Sequence, residues 1–243
     1  MSDNLRFKNR AQAGKLLAEQ LPAYAQRKDV VVLALPRGGV PVAFAVAMTL
    51  GVELDILLVR KLGMPGQEEY AMGAIGSGGV RVIQPGFPGL MGVTAQQIEA
   101  VAQREQAEIV RRERLYRGGR TPVEIAGRTV VLVDDGIATG STMLAAVQVA
   151  RQRGAGRVVV AVPVAPPDTA ETMAAQVDQL VCLSTPMFFR AVSQWYREFD
   201  QTSDEEVQDL LAMAWHDQDR RHAALITKPD ERTRHETDER RGT

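Results

Sequence analysis

Five runs of aliphatic and β-branched residues recur along the chain without the polar alternation of a half-exposed strand: Val30–Leu35, Leu54–Val59, Thr129–Val133, Arg157–Val164 and Gln179–Leu183. A strand carries apolar side chains on both faces only where both faces are covered, which is the condition of a central parallel sheet. Helical signals fill the intervals. Ala13, Leu16, Leu17 and Leu21 recur at helical spacing, and an apolar helix follows Gly39 to about Leu50. Thr94 with Gln97 forms a capping box that opens a long polar helix to about Tyr116. Further helices are expected from Ser141 to about Arg153, from near Asp168 and Glu171, and from the Ser203/Glu206 capping box to about Trp215. The alternation predicts an α/β fold, a central parallel sheet flanked by helices in three layers. Ligands in such sheets gather beyond the carboxyl ends of the strands. The loops after Leu35, Val59 and Val133 are therefore expected on one rim.

Composition narrows the function classes. A chain of 243 residues accommodates one large α/β domain, expected over 1–215 with its core at about 30–183. The formal net charge is −1, so no global basic field calls for nucleic acid or an acidic membrane. Cys182 is the single cysteine, which excludes an intrachain disulfide and a cysteine-rich zinc site. Met1–Arg10 lacks the apolar stretch of a signal peptide. Val40–Val52 is shorter than the ~20 residues that span a bilayer. A cytoplasmic protein with no membrane and no nucleic-acid partner is expected. From His216 the apolar pattern fades into the charged run Asp230–Arg241, which reads as a polar, flexible tail over 216–243.

The densest chemistry lies in Val130-Val131-Leu132-Val133-Asp134-Asp135-Gly136-Ile137-Ala138-Thr139-Gly140-Ser141-Thr142. An apolar strand runs into two adjacent carboxylates, and a small-residue turn then opens a helix. Small residues let backbone N–H groups approach a phosphate closely, and the helix start adds its positive end. Thr139, Ser141 and Thr142 supply hydroxyl donors. Two carboxylates repel a bare phosphate but suit a polyol attached to one, because they accept hydrogen bonds from vicinal hydroxyls. They also suit a magnesium ion bridging such hydroxyls and a pyrophosphate. The turn lacks the lysine of a P-loop, and Gly76-Ser77-Gly78 lacks the third glycine of a dinucleotide fingerprint.

This stretch resembles the motif by which type I phosphoribosyltransferases bind phosphoribosyl pyrophosphate (PRPP). The pairing of Leu35-Pro36-Arg37-Gly38-Gly39 with the Asp134 loop is similar to that of uncharacterised bacterial phosphoribosyltransferase-domain proteins. The resemblance implies that Asp134 and Asp135 contact the ribose hydroxyls and that Ala138, Thr139, Gly140, Ser141 and Thr142 hold the 5′-phosphate, with Gly136 and Ile137 in the same binding loop. It implies a pyrophosphate loop at Arg37, Gly38 and Gly39, often built around a non-proline cis peptide. Arg60-Lys61 resembles the basic segment that neutralises departing pyrophosphate; Met64 stands where a second basic residue often follows. Asp134, Asp135, Arg37 and Lys61 are the implied catalytic residues. Mg²⁺ is the implied cofactor, carried mainly by PRPP, with Asp134 and Asp135 supporting it from outside its direct ligands. A hood is implied over 61–125, extended by 186–215, with a mobile lid around Gln67, Glu68, Glu69 and Tyr70. A homodimer is a family-based expectation.

The reading that follows is a phosphoribosyltransferase acting on a nitrogenous, nucleobase-like acceptor; the alternative is a non-catalytic PRPP-sensing regulator. The latter would use the arginine-rich helix, Arg104, Arg111, Arg112, Arg114, Arg117 and Arg120, as a nucleic-acid surface. Glu108 and Glu113 precede Arg112 and Arg117 by four residues, the spacing of a salt-bridged helix face. Phe188, Phe189, Trp195, Tyr196 and Phe199 are expected to pack as a core cluster, with one ring open to stacking on an acceptor base.

Overall fold

The computed structural model describes residues 6–84 and 86–226. The chain runs α1 (Arg10–Glu19), β1 (Val30–Ala34), α2 (Gly39–Leu50), β2 (Glu53–Ile56), β3 (Val59–Met64), β4 (Gln67–Gly76), β5 (Val80–Ile83), α3 (Phe87–Leu90), α4 (Ala95–Arg117), β6 (Thr129–Val133), α5 (Ser141–Gln152), β7 (Arg157–Val164), α6 (Pro167–Ala174), β8 (Gln179–Ser184) and α7 (Asp204–Ile226). Five strands form one parallel sheet in the order β2-β1-β6-β7-β8, and β3-β4-β5 form a separate antiparallel sheet. This is the α/β architecture that the apolar runs predict, with an added small sheet.

Every residue of β1 and of β6 is buried. Val32 and Ala34 face a core built with α1, α2 and α7, whereas Val31 and Leu33 face a second core built with α5 and α6. Each such aliphatic side chain contributes roughly 1.5–3 kcal/mol when buried, and the central strands collect this on both faces.

β1 pairs with β2 on one side and with β6 on the other. The chain leaves β1 for one face and β6 for the opposite face, so the two loops part at their carboxyl ends. This is the topological switch point, where α/β sheets open a crevice.

Two boundaries differ from expectation. The run Leu54–Val59 is not one strand: β2 ends at Ile56, and β3 begins at Val59 in the other sheet. Leu57 and Leu58 between them are buried, so hydrophobicity does not mark the exchange. The helix expected to stop near Trp215 continues to Ile226, which corrects the tail assignment for 216–226. Its polar residues are partnered: Asp217 with Arg220 and Arg221, and Asp219 with Arg120. Trp215 donates to the Leu54 carbonyl at 3.0 Å, fastening α7 to the sheet edge. The remainder of the expected tail, 227–243, lies outside the described residues.

Candidate functional site

The Asp134 loop leaves the buried β6 and reaches α5 through a short turn held from two sides. The Ile137 amide donates to the Val164 carbonyl at 2.9 Å, and the Thr169 hydroxyl donates to the Ala138 carbonyl at 3.0 Å. Gly140, the residue before the helix, has φ +76°, a left-handed angle that strains any side chain but glycine's. Among the described residues, the amides from Ala138 through Met143 donate to no internal acceptor. Helix starts leave such groups unpaired, and here they lie along a partly exposed turn at the positive end of α5. Thr139 and Ser141 hydroxyls lie 3.2 Å apart beside them. The arrangement is an anion cup.

Two members of the expected binding loop also hold the fold together. Ile137 is buried with its amide spent on Val164, so it anchors the turn. Gly136 packs against Val192 and Val164, where a Cβ would come within 2.7 Å of a Val192 methyl.

Asp134 and Asp135 precede the cup in the chain and lie against the Pro36–Gly39 loop. A Cβ on Gly38 would stand 2.1 Å from Asp135 Oδ2, and one on Gly39 would stand 2.8 Å from the Val133 carbonyl oxygen and 3.0 Å from Asp134 Oδ1. The two glycines are what let this loop close over the carboxylates. The Pro36–Arg37 peptide is cis. Arg37 and Gly38 amides donate to no partner among the described residues, whereas the Gly39 amide is taken by Leu35 at 3.1 Å. Gly39 therefore contributes closeness rather than a donor.

The acid pair is electrostatically unusual. Asp134 Oδ1 accepts from the Asp135 amide at 2.8 Å, and Asp135 Oδ2 accepts from Arg10 Nε at 2.9 Å. Burial, with Asp135 adjacent, pushes Asp134 well above the usual carboxylate range. Burial also raises Asp135, against the opposing pull of Arg10. Arg10 stands far from the motif in sequence, and nothing local in the chain singles it out. Tyr196 donates its hydroxyl to the Asp135 carbonyl at 2.6 Å, and burial drives its own acidity down.

Beside the cup lies a cleft of ≈ 390 Å³ lined by residues that include Pro36, Arg60, Lys61, Glu68, Arg112 and Thr142. Arg60 and Lys61, expected in a loop, stand in β3, which presents them from the antiparallel sheet. Arg60 pairs with Glu105 at 2.8 Å, and Arg104 pairs with the same carboxylate at 3.1 Å. Burial alone would raise Glu105, but the two guanidiniums outweigh it and hold it below its usual range. Lys61 is exposed and has no ion pair among the described residues. Arg37 does not line this cleft; its guanidinium lies 3.7 Å from Asp204, which also accepts from the Tyr116 hydroxyl. Burial and that bond push Tyr116 up to about 12. Asp134 and Asp135 do not line the cleft either; they lie against Gly38 and Gly39. Gln67–Tyr70, expected as a lid, begins β4, and Glu68 faces the cleft.

The arginine-rich helix is largely compensated. Glu108 pairs with Arg111 and Arg112, Arg120 with Asp219, and buried Arg117 with Asp55 and Glu113. The aromatic residues divide: Trp195 and Tyr196 are buried, Tyr196 packs between Phe7 and Phe199, and Phe188 is 84% exposed. No helix among the described residues is long and apolar enough to cross a membrane.

An anion cup and an acid pair at the switch point of a parallel sheet, beside a basic cleft under an antiparallel hood, define an α/β protein suited to a phosphorylated, hydroxyl-bearing ligand. The chain belongs to the phosphoribosyl transferase domain family, which its residues 3–197 match. Two curated relatives, "Putative phosphoribosyl transferase Rv0571c" of Mycobacterium tuberculosis H37Rv and its MT0597 counterpart in strain CDC 1551, are each 50% identical over 211 residues. The alignment covers 87% of this chain and 47% of each relative, so the chain spans about half their length. The crystal structure of TT1426 from Thermus thermophilus is similar at a TM-score of 0.78 and 46% identity, covering 86% of this chain and 98% of that one.

Proposed function

We propose that the chain binds PRPP and transfers its 5-phosphoribosyl group to a nitrogenous, nucleobase-like acceptor with release of pyrophosphate. One observation carries the reading: unpaired amides from Ala138 to Met143 head α5 directly after two enclosed carboxylates. The cup receives the 5′-phosphate. Asp134 and Asp135 accept from the ribose hydroxyls, which replaces the water that burial has taken from them. The Arg37 and Gly38 amides, with Arg60 and Lys61, face the pyrophosphate. The bond from the anomeric carbon to pyrophosphate breaks, its electron pair leaves with the pyrophosphate, and the acceptor nitrogen forms the new bond and releases its proton. Positive charge on the ribose then lies near the carboxylates, and negative charge on the leaving group lies near the basic residues, which is catalysis by preorganised electrostatics.

Among the described residues, no cluster of three or more carboxylate, histidine or cysteine groups could hold a metal alone. The donor set fits an ion carried mainly by the ligand's own oxygens, with Asp134 and Asp135 supporting it. Magnesium bound in that way would supply charge neutralisation of the pyrophosphate.

Calorimetric titration with PRPP and Mg²⁺ tests the reading, followed by a pyrophosphate-release screen across nucleobases. The wild type is expected to bind PRPP, and an Asp134→Asn/Asp135→Asn double variant is expected to lose that binding while keeping affinity for inorganic phosphate. Unchanged PRPP binding in the double variant would refute the assignment.

A further inference from the structure

Arg10 is the first residue of α1, and it stands 125 residues from the carboxylate that it pairs with. Its guanidinium makes three contacts at once. Nε donates to Asp135 Oδ2 at 2.9 Å, Nη1 donates to the Asp200 carbonyl at 2.7 Å, and the group lies 3.8 Å from the centre of the Phe199 ring. The Arg10 side chain is 11% exposed and that of Asp135 is 15% exposed, so the pair is nearly dry.

The platform beneath it is braced. Phe199 packs on Tyr196, which packs on Phe7. Backbone bonds join Phe7 to Trp195 and Arg197, and Lys8 to Glu198. Asn9 caps α1 through the Gln12 amide and donates to Glu198 at 3.1 Å. The same platform holds Asp135 by its carbonyl, through the Tyr196 hydroxyl. Asp135 is thus fixed at two points from one side.

The ion pair is selective in what it occupies. Among the described residues, Oδ2 takes the guanidinium, no other residue donates to Oδ1, and no cation other than Arg10 pairs with either aspartate. A planar, stacked guanidinium fixes a carboxylate's direction, which a flexible ammonium does poorly. Arg117, by contrast, grips buried Asp55 through both carboxylate oxygens.

We propose that Arg10 is a positioning residue of the site: it clamps Asp135 through Oδ2 so that Oδ1 is presented to a hydroxyl of the bound sugar phosphate. The inference rests on the reading of the site given above. It makes Arg10, remote from the loop in sequence, a working part of sugar recognition, with Phe199 and Tyr196 as its support.

The test titrates wild type, Arg10→Gln and Arg10→Lys with PRPP plus Mg²⁺ and, separately, with inorganic phosphate. Arg10→Gln is expected to weaken PRPP binding by about 10- to 100-fold, the range for losing a charge-assisted bond, while phosphate affinity stays within about twofold because the cup is not touched. Arg10→Lys should recover part of the loss. In an Asp135→Asn background, Arg10→Gln should add little, since it acts through the group already removed. Asn9→Ala, which loosens the same docking without touching Asp135, should lower the melting temperature and leave the ratio of PRPP to phosphate affinity unchanged.

Wild-type PRPP affinity in Arg10→Gln overturns the proposal while the functional reading stands. Equal losses of PRPP and phosphate overturn it in favour of a structural role, as do fully additive effects of Arg10→Gln and Asp135→Asn. If Arg10→Gln does not fold, Arg10→Lys decides alone: intermediate PRPP affinity supports the clamp and undiminished affinity refutes it. A wild type that binds phosphate but not PRPP removes the functional reading and this inference together.

Discussion

Asp134→Asn should make the ligand-free protein more stable. The Asp134 carboxylate is enclosed, accepts one hydrogen bond from the Asp135 amide and touches no cation; Arg10 reaches only its neighbour. Asparagine keeps the size and the accepting oxygen while removing the charge. Because burial and Asp135 raise the folded-state pKa of Asp134, the folded protein holds the proton more tightly than the unfolded chain does. Stability is therefore greatest below the unfolded pKa and declines as pH rises through the folded value. The variant lacks this decline. An unpaired buried carboxylate costs on the order of several kcal/mol per ion even after relaxation and water penetration. Partial solvent access and the amide bond reduce that, so a gain of about 1–3 kcal/mol is expected near pH 8, or roughly 2–12 °C in melting temperature for a chain of this size. Thermal melts of both proteins at steps from pH 5 to 8 give the measurement, each with and without PRPP and Mg²⁺. The gap should widen with pH in the free proteins, and ligand should stabilise the wild type more than the variant. A variant less stable than wild type at pH 8, or a gap indifferent to pH, would refute the electrostatic reasoning.

Two further expectations concern the neighbouring loops. Gly39→Ala places a Cβ 2.8 Å from the Val133 carbonyl oxygen and 2.9 Å from Asp134 Cα, backbone atoms that cannot swing aside. A loss of about 1–3 kcal/mol in urea unfolding is expected, with Gly119→Ala, which meets nothing within 4 Å, as the near-neutral control. Lys61→Ala removes an exposed cation with no ion pair among the described residues. Its stability should stay within about 0.5 kcal/mol of wild type, while PRPP-dependent pyrophosphate release falls by on the order of 10²-fold. Unchanged release would transfer the charge-neutralising role to Arg60 and Arg112.

The parts of the fold legible from sequence are those fixed by short-range pattern. Unbroken apolar runs marked four of the five parallel strands closely, because burial on both faces leaves no room for polar alternation. Caps marked the helices: Thr94 opens α4 with the capping box its spacing indicates. The second run misled because Leu57 and Leu58 are as buried as any strand residue, so the pattern could not show where the chain changed sheets. That change carried Arg60 and Lys61 from an expected loop onto β3. Polar residues past Trp215 resembled a tail because Arg120, which ties Asp219 to the rest of the fold, is distant in sequence.

By itself, the sequence determined the alternation of strands and helices, the small-residue turn and the two adjacent acids, since each depends on neighbours within a few residues. Tertiary structure decided that Ile137 anchors the turn to Val164, that the two glycines of the Pro36 loop close over the acids, and that Arg10 holds Asp135. Hydrophobic periodicity reports whether a side chain is covered, but not by what. A buried charge can choose its partner only after the sheet has brought distant loops to the same rim.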